Sequence, residues 1–219
     1  SGLVAWAQGG LWRIDLTGQA TPIPFHVADT REIRQTHRVS IAVAPDDFDV
    51  RMIRGARVSP DGQQVVFQAL GQLYIADTSG GTPQKLTRDD GVVEQDPAWS
   101  PDGRSIAYAT WHDDDLGEIR QVSARGGRGR ALTRSPGHFR RPVFAADGAV
   151  YAERVAGGWL RSPLHDLTRG IVRLDRDSDA QIMDRGARPQ IVGSELFVEV
   201  GGENGSRKLV AHDLVSGEE

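Results

Sequence analysis

Short apolar runs recur along the chain: QVVFQAL from Gln64, QLYIAD from Gln72, SIAYATW from Ser105 and EIRQVS from Glu118. AVYAER, GIVRLD, ELFVEV and KLVAHD continue the series towards the C-terminus. Each run is rich in β-branched or aromatic residues and is bounded by Gly, Pro, Asp or Ser, the pattern of a strand. No segment shows a sustained helical period, so the pattern predicts an all-β chain. The turns are written as plainly. In Ser-Pro-Asp-Gly, at Ser59 and again at Ser100, Pro presets φ at the first corner, Asp bonds its own backbone, and Gly takes the left-handed position.

The elements repeat. Gly62 and Gly103 are 41 residues apart, and Gly103 and Gly148 are 45 apart. Pro97, Pro142 and Pro189 follow at spacings of 45 and 47. The N-terminal LVAWAQGGLWRIDLTG aligns without gaps on VVFQALGQLYIADTSG at an offset of 62, placing Leu3 on Val65 and Asp15 on Asp77. Four short antiparallel strands in a unit of about 45 residues are the signature of a β-propeller blade. Helical solenoids of similar period need longer segments, and an immunoglobulin-like sandwich has no reason to repeat at this spacing.

The expected organisation is a partial blade at 1–25, an insertion at 26–54, full blades at 55–88, 96–134 and 141–186, and a partial blade at 187–219. Propellers close by joining first and last blades, because an open ring exposes strand edges. This count therefore reads as an incomplete ring, a fragment of a six- or seven-bladed propeller whose open blade edges offer self-association. Long insertions in compact folds often serve as lids or docking surfaces. Within 26–54 the stretch RVSIAVAP alternates like a strand and is a candidate for contact with a neighbouring domain.

The string PAWSPDG from Pro97 to Gly103, followed by IAYATW and LTR, resembles the WD40-like repeat called PD40, which builds TolB-like propellers. The stretch DDFDVRMIRGARVSPDGQQVVFQALGQLYIAD, continued by EQDPAWSPDGRSIAYATW, is similar to the TolB-type propeller that precedes a metal-dependent amidohydrolase domain in bacterial envelope or secreted proteins. This resemblance implies a periplasmic or secreted location and a non-catalytic domain that gates or positions substrate. The partner is then an adjacent domain of the same polypeptide or another protein. It also implies that the catalytic half lies outside these residues, since the family's His-x-His pair does not occur among His26, His37, His112, His138, His165 and His212. The alternative is a TolB-like protein-binding scaffold of the cell envelope without enzymatic activity.

Composition narrows the chemistry further. The chain has 219 residues, a formal net charge of -4 and no cysteine. Disulfides, thiolate nucleophiles and Cys-based zinc sites are thereby excluded, and nucleic acid is not an expected partner because no global positive field is available to attract it. No apolar run approaches the length needed to insert in a membrane. Neither Gly-x-Ser-x-Gly nor His-Glu-x-x-His occurs, and ARGGRGRALT lacks the Gly-Lys-Ser/Thr ending of a phosphate loop. No catalytic residue, metal ligand or cofactor is expected in this chain, and the strands offer no matching set of His, Glu and Asp for a site in a central channel.

Three features remain as candidates. In TWHDDDLGE, residues Trp111, His112, Asp113, Asp114 and Asp115 form a candidate surface that, with Glu118, offers oxygen atoms to a hard cation; it lacks the alternating spacing of calcium loops and reads first as a solvated hairpin. Asp15, Asp77, Asp175 and Asp213 recur at the end of the third strand, where Asp ordinarily bonds the amides of the adjacent turn. Arg161 and His165 lie on an elongated hairpin with nothing to single them out.

Overall fold

The computed structural model describes residues 2–33, 46–89, 91–155, 169–175 and 179–216. The chain divides into two compact units, Ser1–Asp47 and Phe48–Glu219. RVSIAVAP, Arg161 and His165 lie outside the described residues.

The first unit is a three-stranded antiparallel meander of β1 (Gly2–Ala7), β2 (Gly10–Asp15) and β3 (Ala20–Ile23). Asp15 closes the second turn as its position suggested. Its Oδ1 accepts the Thr17 and Gln19 amides at 2.9 and 3.0 Å, and these bonds, with that of the Thr17 hydroxyl, hold its carboxyl below the usual range.

The second unit holds four antiparallel sheets in chain order. The first comprises β4 (Arg54–Val58), β5 (Gln64–Ala69), β6 (Gln72–Asp77) and β7 (Gln84–Lys85). The second comprises β8 (Val93–Trp99), β9 (Ser105–Trp111), β10 (Ile119–Ser123) and β11 (Arg130–Ala131). β12 (Phe139–Phe144), β13 (Val150–Arg154), β14 (Gly170–Leu174) and β15 (Asp179–Met183) make the third. β16 (Ala187–Val192), β17 (Glu195–Gly201) and β18 (Arg207–Asp213) make the last. β4, β8, β12 and β16 each touch the next in turn, so the first strand of every sheet faces the first strand of its neighbour. No α-helix occurs among the described residues.

Alternation along each strand explains the packing. In β9, Ile106 and Tyr108 pack with Val66, Leu73 and Leu86 of the preceding sheet, while Ala107 and Ala109 pack with Phe139, Val150 and Ala152 of the following one. In the third sheet Tyr151 and Ile171 turn instead to Leu196 and Val198 of the last. A strand buried on both faces has no polar side, which is why SIAYATW reads as an unbroken apolar run. All the residues from Ile106 to Ala109 are fully buried.

The Ser-Pro-Asp-Gly turns share one hydrogen-bonding scheme. The Gly62 amide bonds the Ser59 carbonyl at 2.9 Å, Asp61 accepts the Gln63 amide at 3.0 Å, and Ser59 Oγ accepts the Gln64 amide at 2.9 Å. Gly103, Asp102 and Ser100 repeat the scheme one sheet later. Gly62, Gly103 and Gly148 have φ of 74°, 69° and 87°, values at which a side chain is strained.

Candidate functional site

The sequence-nominated hairpin is satisfied internally. Trp111 Nε1 donates to Asp113 Oδ1 at 2.9 Å, and His112 Nδ1 accepts the amides of Asp114 and Asp115 at 3.2 Å each. Glu118 turns away to pair with Arg120 at 2.9 Å. No group of three or more His, Asp or Glu side chains is placed to hold a metal ion among the described residues. The structure adds one residue that spacing did not suggest: His138, from the next sheet, lies 5.1 Å from the Trp111 ring, and burial holds its imidazole below the usual pKa. The four repeated aspartates are not brought together on the first strands of the sheets. Asp213 bonds the Val215 and Ser216 amides at 2.7 and 3.0 Å, and Asp175 lies 3.4 Å from Arg173 Nε.

A different constellation forms where the inner strands meet. Each carries a register shift, between Arg54 and Arg57, Gln95 and Ala98, Arg140 and Val143, and Ala187 and Gln190. At each shift one residue is left-handed: Gly55, Asp96, Arg141 and Arg188, with φ of 58°, 53°, 49° and 54°. Three of the four are not glycine, and those three precede Pro97, Pro142 and Pro189. A residue before proline is pushed towards extended backbone, so each such bulge costs on the order of 1–3 kcal/mol and persists only where its surroundings hold it.

What holds two of these bulges is a carboxylate from the preceding sheet. Asp96 Oδ2 accepts the Arg141 amide at 3.1 Å, and Glu153 Oε2 accepts the Arg188 amide at 3.0 Å. Glu153 Oε2 also accepts from Arg141 Nη1 at 2.7 Å, while Glu199 takes Nη1 of both Arg188 and Arg207 at 3.1 Å. The Arg188 contact comes first among the causes that keep the Glu199 carboxyl below its usual range. Trp99 Nε1 donates to the Arg57 carbonyl at 2.9 Å, joining β8 to β4.

These strands enclose an open concavity of about 690 Å³ whose lining includes Arg57, Arg141 and Arg188 beside Pro97, Pro142 and Pro189. Asp96 is the one acidic residue among the described residues of that lining. Arg57 has no carboxylate partner among the described residues; its Nη1 bonds the Ala56 carbonyl at 3.3 Å. Such a site is suited to holding an anionic or carbonyl-bearing ligand. Among the described residues of its lining there is no nucleophile paired with a base. The three arginines carry none of the His, Glu and Asp pattern expected of a site in a central channel; the sequence marks two of them, Arg141 and Arg188, by the proline that follows each.

Between the first two sheets lie two buried acids that the sequence did not announce. Glu94 is fully buried, and its Oε2 accepts the Leu73 amide at 2.9 Å and the Thr87 hydroxyl at 2.7 Å; burial raises its pKa. Asp89 Oδ2 accepts the Tyr108 hydroxyl at 3.0 Å and the Gly129 amide at 3.1 Å, and pairs with Arg120 at 3.2 Å. Both tie successive sheets together.

No protein-family model matches the chain. Among curated proteins it is 38% identical over 118 residues to the uncharacterized peptidase YuxL of Bacillus subtilis, covering 49% of this chain and 18% of that protein. It is 27% identical over 146 residues to dipeptidyl-peptidase 5 of Porphyromonas endodontalis, covering 61% and 21%, and 32% identical over 121 residues to the Tol-Pal system protein TolB of Methylococcus capsulatus, covering 52% and 26%. The chain thus spans about a quarter or less of these relatives. Among solved structures, one described as TolB from Agrobacterium tumefaciens superposes with a TM-score of 0.63 at 20% identity, covering 77% of this chain and 60% of that one. TolB from Acinetobacter baumannii superposes with a TM-score of 0.58 at 18% identity, covering 94% and 46%. Sheet order, repeat and these superpositions agree: the chain is an all-β run of β-propeller blades, similar in fold to the TolB structures.

Proposed function

We propose that these blades are a non-catalytic recognition module of a larger bacterial envelope or secreted protein, binding a protein or peptide through the concavity of their inner strands. The observation that carries this reading is the placement of Arg57, Arg141 and Arg188 from three sheets around one concave space. The curated relatives support it in kind, since they comprise peptidases and TolB. In a peptidase context the module selects or admits a chain. In a TolB context it docks a partner. A periplasmic or secreted location follows from the same resemblance.

The narrower reading, an accessory to a metal-dependent amidohydrolase domain, rests on the likeness of residues 46–77 and 94–111 to that family's propeller. A parent reading frame encoding a His-x-His metal motif supports this variant, and one encoding a serine-peptidase domain or no hydrolase overturns it.

The recognition reading is tested with a photo-crosslinking residue placed at Val143, in the concavity, or at Asp113, on the outer hairpin, of the full-length protein in its native host. A discrete crosslinked protein or peptide from position 143 and none from 113 is expected. Crosslinks from 113 alone, or from neither position, contradict it.

A further inference from the structure

We propose that the inner-strand concavity binds a peptide carboxylate, gripped by Arg57, Arg141 and Arg188. The inference deepens the recognition reading and rests on it. Guanidinium forks match carboxylates in planar, paired hydrogen bonds, and a fork already fixed in place loses less freedom on binding. Arg141 and Arg188 are each held through Nη1, by Glu153 and Glu199 respectively. Their backbones are fixed as well, because Asp96 and Glu153 hold the two left-handed amides. Arg57 contributes a cation with no carboxylate partner among the described residues.

Charge favours an anion here. Arg57, Arg140, Arg141, Arg188 and Arg207 outnumber Asp96, Glu153 and Glu199 around the site. The Asp96 carboxylate is already engaged by the Arg141 amide and lies 3.6 Å from Arg140 Nε. Pro97, Pro142 and Pro189 supply apolar surface between the charges, as an extended peptide requires. A polyanion is disfavoured because the chain as a whole carries a net charge of -4. The carboxylate belongs either to acidic side chains or to a peptide C-terminus, and the chemistry of the grip is the same for both.

The test is fluorescence anisotropy on the full chain with three labelled peptides: an Asp/Glu-rich peptide with an amidated C-terminus, a neutral peptide with a free C-terminus, and the same neutral peptide amidated. Binding of the first or the second, weakened by salt, and none of the third is expected; which of the two binds identifies the source of the carboxylate. Arg57→Gln, whose guanidinium touches only a carbonyl, is expected to weaken binding about tenfold with an unchanged melting temperature. Arg188→Lys keeps the charge but removes the fork and is expected to weaken it several-fold. Equal binding of all three peptides or an unaffected Arg57→Gln overturns the proposal. Failure of every peptide while crosslinking persists at position 143 overturns the ligand class and leaves the recognition reading standing. Failure of both overturns the reading itself.

Discussion

Glu94 and Glu153 show how single buried residues set the stability of these blades. Glu94 has its pKa raised, first by burial and against the opposing bonds from Thr87 and Leu73. The folded state therefore favours its protonated form. The stability this contributes is present below the unfolded-state value of about 4.3 and is lost as pH rises through the raised folded value. Glu94→Gln removes that dependence. Chemical denaturation from pH 4 to 8 is expected to show the wild type losing ground to this variant as pH rises; parallel curves are the opposing result. Glu153 acts differently, because one nearly buried oxygen serves both the Arg188 amide and the Arg141 guanidinium. Glu153→Ala orphans both donors and is expected to cost about 2 kcal/mol in the same measurement. None of this was legible in the sequence. An acid at Glu94 reads as solvated until the strand is known to be covered on both faces, and an arginine before proline reads as a turn until its φ is known.

At the scale of elements, the strands were legible because burial on both faces leaves unbroken apolar runs, and the turns because Asp and Gly meet specific backbone demands. Asp61 and Asp102 both bond the amide two residues on, and their Ser partners lead the causes that lower both carboxyls. The bulges of the inner strands were less legible, because a bulge inserts a residue without changing composition, and nothing in the sequence marks the register shifts between Gln95 and Ala98 or Arg140 and Val143. Sheet-to-sheet packing carries its own expectation. Phe139, fully buried at the start of β12, packs among Ala107, Ala109 and Ile119 of the preceding sheet. Phe139→Ala is expected to lower unfolding free energy by about 3–5 kcal/mol, measured by urea denaturation, since the rigid strands on either side cannot close the cavity. A loss under about 1 kcal/mol contradicts this packing.

For the whole molecule, the repeat dictates more than any single residue does. Equivalent strands from successive blades meet, and whatever the chain places at their bulges converges on one space; here that is Arg141 and Arg188, joined by Arg57 beside the first bulge. The hairpin at Trp111 to Asp115 carries denser charge in the sequence, yet its side chains and amides bond one another. The convergence of these arginines is therefore set by topology rather than by local composition, and no catalytic or metal motif in the sequence marks it.

The most direct measurement is amide hydrogen exchange on the full chain with and without a saturating carboxylate peptide. Slower exchange at the Arg141 and Arg188 amides and along β12 and β16, with the Trp111–Asp115 hairpin unchanged, is expected. Protection at the hairpin with none on the inner strands contradicts recognition through the concavity.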